Sequence, residues 1–360
     1  MKKIVSIALL FLCLCCILTA LPSCKDSSGS EPKKEYTTRS KTVSYLHFNT
    51  VSMISSYGDT TAEEFDSYVK LADEMLGRYH QLFDIYYEYS GVNNIRTINQ
   101  NAGKEPVKVD AELIDFLLYC KELYALTNGK TNIMYGSVLT IWHNARELAD
   151  ETGGYLDESL LPSTEELAEA AEHTSIDLLV IDREAGTAYI SDPKASIDVG
   201  AIAKGYAARK LADALKERGA DSMAINAGGN IITLGLKPDG SSWVTGITNP
   251  DKTSMESLAC RVEIGETALV TSGDYERYFV SGNRQYHHII DPATHMPADY
   301  FSSVSIFTQD GTLADALSTA LFCMSYEEGL ALVERIGGID VLWICKDGTL
   351  KYTDGIRFVQ

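Results

Sequence analysis

One segment combines a carboxylate and a hydroxyl at helical spacing. Residues 311–320 read GTLADALSTA, so Asp315 and Thr319 stand at positions i and i+4. On a helix these positions share a face, and a carboxylate beside a hydroxyl could bind a hard cation such as Mg²⁺. A structural interpretation stays open, because Thr312 and Asp315 also fit the S/T-x-x-D/E pattern in which Asp315 only caps the helix.

A second segment offers positive potential to an anion. Residues 196–206 read SIDVGAIAKGY, in which an acidic strand end passes through small residues into a helix. Small residues let a ligand approach the backbone, and the helix N-terminus together with Lys204 favours a phosphate. The alternative is a surface lysine on a helix that follows a glycine-lined turn.

Glycines and histidines mark the remaining polar segments. Residues 226–230 read NAGGN, and two adjacent glycines suit either a tight turn or a loop that cradles phosphate. Residues 269–275 read LVTSGDY, and residues 286–292 read YHHIIDP. A histidine beside an Asp-Pro turn could be a general base whose tautomer is held by an aspartate. For His287 we favour a structural or surface role.

The net charge limits the choice of ligand. Thirty-one Lys and Arg against fifty Asp and Glu give a net charge of −19 over 360 residues. A field of this sign repels phosphate backbones, so we expect no nucleic-acid partner. A small polyanion would need a metal, a helix N-terminus or a well-placed lysine. With 45% hydrophobic and 22% charged residues the chain is globular, with one large or two modest domains.

The first residues are typical of a secretory signal. Lys2 and Lys3 precede an apolar run from Ile4 to Leu21, and a small residue then stands directly before Cys24. This arrangement is that of a lipobox, so we expect residues 1–23 to be a lipoprotein signal peptide and Cys24 to carry lipid. The protein would then be extracytoplasmic and anchored to the membrane. An uncleaved anchor is the alternative, although the apolar run is short for spanning a bilayer.

Residues 24–41 are rich in Ser, Lys and Glu without an apolar period, which predicts a flexible tether. The folded domain is then predicted to cover residues 42–360. Its cysteines stand among apolar neighbours and outside any CxxC pair, so we expect buried small hydrophobes rather than zinc or redox groups.

Helices and strands occur in runs with little regular βαβ succession, which predicts the α+β class. Apolar residues near a 3.6 period predict helices at 61–83, 110–127, 162–173, 202–218, 312–324 and 326–336. Apolar and β-branched runs predict strands at 43–55, 178–182, 188–191, 223–226, 231–236, 243–248, 258–264, 268–272, 278–281, 341–345 and 350–353.

Taken together and in this order, the polar segments resemble the ApbE family of flavin transferases, the FAD:protein FMN transferases. The family patterns are approximately D-x-G-x-I-A-K-G, N-A-G-G-[DN], T-S-G-D-Y, H-I-I-D-P and A-D-A-x-[AS]-T-A. The resemblance covers roughly residues 43–355. It implies an ApbE/T-fold-like arrangement of mixed sheets with flanking helices. Family members are commonly lipoproteins outside the cytoplasmic membrane, which agrees with the separate prediction for Cys24.

The resemblance also assigns roles around a metal ion. It implies that Asp198 and Lys204 contact FAD. It further implies that the carbonyl of Ala201 and the side chains of Asp315 and Thr319 surround Mg²⁺. Ser318 stands where some relatives have a further metal ligand.

The remaining roles concern the base and the flavin. His288 is the histidine of the H-I-I-D-P pattern and the candidate catalytic base, and Ile289 would lie against the flavin. Less specific likenesses imply further flavin contacts. Phe48 stands in the place of an M-G-T pattern, and Tyr86 stands at an aromatic position. Asn132, Ile133 and Met134 stand in the place of D-[IV]-T. Met134 and Ser137, where relatives often have Thr and Pro, would affect substrate affinity more than chemistry.

The implied reaction moves FMN from FAD to a Thr or Ser hydroxyl of an extracytoplasmic or membrane flavoprotein and releases AMP. Two alternatives stay open, namely a Mg²⁺-dependent FAD pyrophosphatase that yields FMN and AMP, and a lipoprotein that only binds FAD. A two-lobed solute-binding lipoprotein would not explain Asp315 and Thr319 beside the His288 motif.

Overall fold

The computed structural model describes residues 36–359. The predicted signal peptide, Cys24 and residues 25–35 of the predicted tether lie outside the described residues. The first strand begins at Thr38, ahead of the predicted domain start at Thr42. The tether prediction is therefore wrong for its last residues, because residues 38–41 pair with the second strand of the chain.

The helices mostly follow the predicted positions. They are α1 (Ala62–Phe83), α2 (Ile95–Gln100), α3 (Ala111–Leu126), α4 (Gly136–Glu151), α5 (Thr164–Ala171), α6 (Ala203–Glu217), α7 (Gly311–Phe322) and α8 (Tyr326–Ile336). The sequence did not predict α2 and α4. Helix α4 has no side-chain cap at its start and begins with a glycine, so it lacks the usual start signal. None of the helices in the described part of the chain is long and apolar enough to cross a membrane.

Strands make up the rest of the regular structure. They are β1 (Thr38–Ser44), β2 (Ser52–Tyr57), β3 (Val107–Lys108), β4 (Leu179–Asp182), β5 (Thr187–Ile190), β6 (Met223–Ala227), β7 (Asn230–Leu234), β8 (Trp243–Thr248), β9 (Leu258–Ile264), β10 (Ala268–Gly273), β11 (Tyr278–Ser281), β12 (Arg284–His287), β13 (Phe301–Thr308), β14 (Asp340–Cys345), β15 (Leu350–Tyr352) and β16 (Arg357–Val359). Mixed helices and antiparallel sheets confirm the α+β class.

An antiparallel sheet of eight strands, in the order β1-β2-β6-β7-β10-β13-β14-β15, forms the centre of the molecule. The predicted single strand at 43–55 is wrong, because a 3-10 turn at His47–Asn49 divides it into the hairpin β1–β2. Strand β13 was not predicted, although it lies between β10 and β14. Its Ser303 and Ser305 are fully buried, and these polar residues weaken the apolar pattern of a central strand.

Helices α6 and α7 pack together beside this sheet, with α7 against β10 and β13 and α6 against β7. Their contact requires glycine at position 205 of α6. A Cβ atom on Gly205 would stand 2.3 Å from the Gly311 carbonyl oxygen and 2.5 Å from the Cβ of Asp315. A Cβ on Gly311 would stand 2.9 Å from Cδ1 of Ile232. The two helices therefore approach backbone to backbone at the first turn of each.

We expect Gly205→Ala to lower the free energy of unfolding by about 1–3 kcal/mol, because the added methyl group overpacks a contact that has no room for it. Chemical denaturation measures this change. Gly265→Ala is the matched control, since a Cβ at that position meets its nearest atom, Cδ2 of Leu236, at 4.0 Å. Equal stability of the two variants would contradict the steric explanation.

Candidate active site

The Asp315 carboxylate lies at the N-terminus of a neighbouring helix. Its Oδ2 atom accepts a 2.7 Å hydrogen bond from the backbone N–H of Gly205, in the first turn of α6. Its Oδ1 atom stands 4.0 Å from Nζ of Lys204. Only 4% of the Asp315 surface is exposed. The carboxylate thus occupies the position where the unpaired N–H groups of α6 favour negative charge.

The capping interpretation of Asp315 within its own helix is wrong. Helix α7 begins at Gly311, and its N-cap is Asp310, whose Oδ1 accepts from the N–H groups of Thr312 and Leu313 at 2.8 and 3.2 Å. Thr312 is already inside the helix, so the S/T-x-x-D/E pattern is out of register with the observed cap. The Asp315 carboxylate is therefore left for contacts between helices.

Burial raises the pKa of the Asp315 carboxyl, and nearby groups only partly offset this effect. The groups that lower the pKa are the Lys204 ammonium, the N–H of Gly205 and the side-chain amide of Asn230. The local positive charge is thus insufficient to stabilise the carboxylate fully. An added cation at this position would stabilise the charged form.

Oxygen donors suitable for Mg²⁺ surround this carboxylate. Thr319 follows Asp315 by one helical turn. Gly205 donates its N–H to Asp315 rather than to the carbonyl of Ala201, the residue four positions earlier. Within residues 36–359, that carbonyl accepts no hydrogen bond. A carboxylate, a hydroxyl and a free carbonyl are ligands that a hard cation accepts, so these residues fit Mg²⁺.

Ser318 occupies a different environment. Its Oγ atom lies 2.8 Å from the Asp315 carbonyl oxygen and 2.8 Å from Oγ of Ser272, and the side chain is fully buried. These bonds connect α7 to β10. The described part of the chain has no cluster of three or more His, Cys, Asp or Glu residues. A cation held mainly by neutral oxygens and one carboxylate would therefore keep positive charge for an anionic ligand.

The two glycines of the NAGGN segment form a tight turn rather than a longer loop. Gly228 and Gly229 have φ values of 61° and 92° and join β6 to β7 in a two-residue hairpin. Positive φ at both positions is what such a turn requires. A Cβ on Gly228 would stand 2.4 Å from Oγ1 of Thr50, so this turn packs directly against the segment that contains Phe48.

Asp198 lies beside another predicted flavin contact. Its N–H donates to the carbonyl of Ile133 at 2.8 Å, and its Oδ1 accepts from the N–H of Gly200 at 2.8 Å. Its Oδ2 stands 3.9 Å from Nε2 of His143, whose Nδ1 is 3.3 Å from the hydroxyl of Tyr86. The structure therefore brings Asp198 and Tyr86 to the same place, with a histidine between them.

The other predicted flavin residues differ in accessibility. Ile133 and Met134 are almost fully buried, and the Asn132 side chain accepts from the Met134 N–H and donates to the Thr174 carbonyl. These side chains hold their own segment in place. Phe48 is only partly buried and has a φ of 56°, a strained value for a side chain of this size. Strain of this kind is common at functional sites.

His288 is the strongest candidate for a proton-transfer group. Its ring is partly accessible, but its Nδ1 atom is buried and has no partner within the described residues, so Nε2 is the nitrogen that remains open. Its pKa is well below the ordinary value, because of burial first and then the electrostatic effects of Arg277, His287, Arg146 and Lys204. The ring is therefore neutral and able to accept a proton at neutral pH.

The structural interpretation of His287 is confirmed. Its Nε2 atom bonds to the Ala298 carbonyl at 2.8 Å, and its Nδ1 accepts from the Ile289 N–H at 3.2 Å. Asp291 of the Asp-Pro turn holds no histidine. Its carboxylate instead pairs with Nζ of Lys130 at 2.8 Å. The expectation of an aspartate that fixes the tautomer of the base is therefore wrong at this turn.

Comparison with known proteins identifies the family of this chain. The family model described as "ApbE family" matches residues 48–343. The chain belongs to the ApbE family. A relative from Treponema pallidum, named FAD:protein FMN transferase, is 30% identical over 95% of this chain and 92% of its own length. As a member of this family, the chain is an enzyme of the transferase class.

Solved ApbE structures share the fold. The ApbE protein from Thermotoga maritima matches with a TM-score of 0.72 at 27% identity, over 89% of this chain and 97% of its own. The flavin transferase ApbE from Vibrio cholerae matches with a TM-score of 0.71 at 27% identity, over 89% and 96% of the two chains. The resemblance in fold therefore extends over nearly the whole length of these ApbE proteins.

Sequence reasoning missed three residues of this ApbE site. His143 and Arg146 lie on α4, which was not predicted, and Arg277 follows the T-S-G-D-Y pattern without belonging to it. The Asp198 charge raises the pKa of His143 and of Arg277, and the Arg146 charge lowers the pKa of both. The helical spacing of His143 and Arg146, at positions i and i+3, is the only signal that could have placed these two side chains on one face.

We expect Mg²⁺ to stabilise the wild-type chain by about 2.7 kcal/mol at 100 times its dissociation constant, and to stabilise Asp315→Asn much less. Asparagine keeps the shape and the acceptor for Gly205 but removes the charge that binds the cation. Thermal unfolding with and without Mg²⁺ measures the difference. The exposed Asp347→Asn is the control, and equal stabilisation of both variants by Mg²⁺ would argue against Asp315 as a ligand.

Proposed function

We propose that this chain is a Mg²⁺-dependent FAD:protein FMN transferase. One observation carries the proposal, namely that Lys204 connects the cation site to the base. Its ammonium stands 4.0 Å from the Asp315 carboxylate, and the same charge lowers the pKa of His288. The oxygen donors for a cation therefore lie in the same site as a neutral histidine. This is the combination that phosphoryl transfer from a dinucleotide to a hydroxyl requires.

The reaction transfers the FMN half of FAD to a protein hydroxyl. The oxygen of an acceptor Thr or Ser attacks the phosphorus on the FMN side, and the bond from this phosphorus to the bridging oxygen breaks. AMP leaves with the bridging oxygen, and the hydroxyl proton goes to Nε2 of His288. Bound Mg²⁺, held by Asp315, Thr319 and the Ala201 carbonyl, would offset the charge of the pyrophosphate and of the leaving AMP.

The charges around His288 connect substrate binding to proton transfer. In the free protein, burial and the nearby cations keep the imidazole neutral. A pyrophosphate bound beside Lys204 adds negative charge and makes a protonated imidazole less unfavourable. The base therefore gains its ability to hold a proton when the anionic substrate is present. A site that holds no dinucleotide has little tendency to protonate His288.

We assign the flavin ring to contacts with Phe48, Tyr86 and Ile289. Phe48 and the half-exposed Tyr86 offer ring surfaces, and Ile289 is a buried apolar neighbour of His288. Asp198 and Lys204 then contact the polar part of the dinucleotide. Ring surfaces and charged groups suit the two ends of FMN, a planar ring and a phosphate.

The N-terminal residues support a location for this reaction. With the predicted signal peptide removed and a lipid on Cys24, the enzyme would be tethered outside the cytoplasmic membrane. Membrane-bound and other extracytoplasmic flavoproteins would then be the acceptors within reach. Such a tether would raise the effective concentration of enzyme near a membrane protein.

The first test incubates the chain from residue 25 onward with FAD, Mg²⁺ and a flavoprotein domain that carries a candidate acceptor Thr. Mass spectrometry of the acceptor and chromatography of the nucleotides are read together. The proposal predicts an acceptor that gains the mass of FMN less water, with one AMP released for each FMN attached, and no product when EDTA removes the cation.

Other outcomes of this assay identify the alternatives. AMP and free FMN in the presence of an unmodified acceptor would favour a FAD pyrophosphatase, in which water replaces the hydroxyl. FAD that stays intact and bound would favour a protein that only binds FAD. An acceptor in which the Thr is replaced by Ala is the matched control for the site of attachment.

His288→Ala should retain FAD binding and lose about 10²–10⁴-fold in the rate of transfer, because it removes only the proton acceptor. The wild-type rate should show no inflection near the ordinary histidine pKa in the free enzyme. It should fall only at clearly lower pH, since burial and the nearby cations depress the pKa of His288. An unchanged rate for His288→Ala would remove this residue from the mechanism.

A further inference from the structure

The backbone at Phe48 and Asn49 is held by a histidine of helix α1. Both residues have positive φ, 56° and 53°, in the 3-10 turn at His47–Asn49. The backbone N–H of Phe48 donates to Nδ1 of His80 at 3.3 Å, and the two rings meet edge to face with their centroids 5.7 Å apart. One side chain thus supplies both an acceptor and a ring contact to a conformation that bulky residues rarely adopt.

This hydrogen bond fixes the tautomer of His80. Because Nδ1 accepts from Phe48, the proton of the neutral ring lies on Nε2. Nε2 stands 3.3 Å from the hydroxyl of Tyr89 and 3.9 Å from Oδ2 of Asp84. The Tyr89 hydroxyl in turn donates to the same Asp84 oxygen at 2.7 Å. The donors therefore point in one direction, from Phe48 through His80 and Tyr89 to a buried carboxylate.

The same carboxylate holds the segment of Tyr86. The other oxygen of Asp84, Oδ1, accepts from the backbone N–H groups of Tyr86 and Tyr87 at 2.6 and 3.1 Å. The hydroxyl of Tyr86 lies 3.3 Å from Nδ1 of His143. Asp84 is thus bonded through both of its oxygens, and the backbone positions of Phe48 and Tyr86 depend on one buried anion.

The turn at Phe48 needs a neutral His80. Burial lowers the pKa of His80, the Asp84 carboxylate opposes this effect, and the His47 ring adds to it. The His47 ring centroid lies 6.0 Å from that of His80, and its Nε2 pairs with Asp73 at 2.9 Å. A protonated His80 would place an N–H at Nδ1 against the N–H of Phe48, so two donors would face each other. Protonation therefore removes the acceptor that holds the turn.

We propose that His80, Tyr89 and Asp84 form a hydrogen-bonded relay that positions the flavin-contacting aromatic residues and loosens its hold on Phe48 when His80 is protonated. The inference rests on the proposed function, which assigns Phe48 and Tyr86 to the flavin ring. In this assignment the relay residues act through the backbone of the residues that they hold, so they are positioning residues. Their effect is on flavin affinity rather than on proton transfer.

The first test measures riboflavin binding to the chain from residue 25 onward as a function of pH, by quenching of flavin fluorescence. Riboflavin has no phosphate that titrates in this range. We expect the wild-type affinity to fall by about tenfold between about pH 8 and about pH 5, as His80 gains a proton and the turn loses its acceptor. His80→Asn should remove this dependence, because its amide offers an acceptor near the place of Nδ1 but does not titrate.

Two other histidines also contribute to the pH profile. His143 and His288 have lowered pKa values and titrate at low pH. Both are present in His80→Asn, so the difference between the two profiles belongs to His80. A wild-type profile that His80→Asn leaves unchanged would overturn the inference, and a lowered melting temperature without that difference would assign His80 a merely structural role.

Two variants that keep a ring test the relay at a fixed neutral pH. His80→Phe offers no acceptor and should weaken riboflavin binding by about tenfold, with faster hydrogen exchange of the Phe48 amide. Tyr89→Phe removes the hydroxyl beside Nε2 and should cause a smaller loss, since Nδ1 is still present. Tyr68→Phe is the matched control, because it removes a hydroxyl that donates to Glu64 on the same helix at 3.1 Å. Wild-type affinity and exchange in both relay variants would contradict the proposal.

Failure of this inference can be told apart from failure of the proposed function. A chain that transfers FMN to an acceptor, but whose riboflavin affinity does not depend on His80, would overturn the relay and keep the transferase. A chain whose affinity follows His80 as expected, but which transfers no FMN, would keep the relay and reject the transferase. Binding and hydrogen exchange are measured in EDTA, so neither depends on the cation or on turnover.

Discussion

The contact between Gly205 and Asp315 is the constraint on which the site depends. It brings a carboxylate from α7 to the N-terminus of α6, and it is sterically closed to any side chain larger than glycine at position 205. The same contact frees the Ala201 carbonyl from the helix and sets Lys204 beside the carboxylate. The donors for a cation and the charge that reaches His288 thus follow from one close approach of two helices.

The electrostatics of the site oppose those of the whole chain. The protein carries a net charge of −19, whereas the groups around His288 include Lys204, Arg146 and Arg277. Burial and this local excess of positive charge keep the histidine neutral, and the positive charge favours an anionic ligand. The buried carboxylate of Asp315, with its raised pKa, adds a place for a cation. A bound metal would stabilise the charged form of Asp315, and a bound pyrophosphate would make the protonated form of His288 less unfavourable.

The scaffold keeps these groups in place through short connections. A two-residue turn at Gly228 and Gly229 packs against Thr50, and the buried Ser318 connects α7 to β10 through Ser272. The eight-stranded sheet therefore fixes the loops at the ends of its central strands. In contrast, the segment at Phe48 keeps a backbone with positive φ, which carries a conformational cost.

Local patterns in the sequence determined most strands and the helices with strong caps, such as α1 with its N-cap Thr61. The motifs in their order determined the family. Only the tertiary structure decided that Asp315 meets the N-terminus of α6 rather than its own. The same holds for the serine-rich strand between β10 and β14 and for the pairing of Asp291 with Lys130. Propensity and periodicity act over a few residues, while these contacts join residues 110 or more positions apart in two of the three cases. Such pairings depend on packing and charge across the whole fold, which no short pattern encodes.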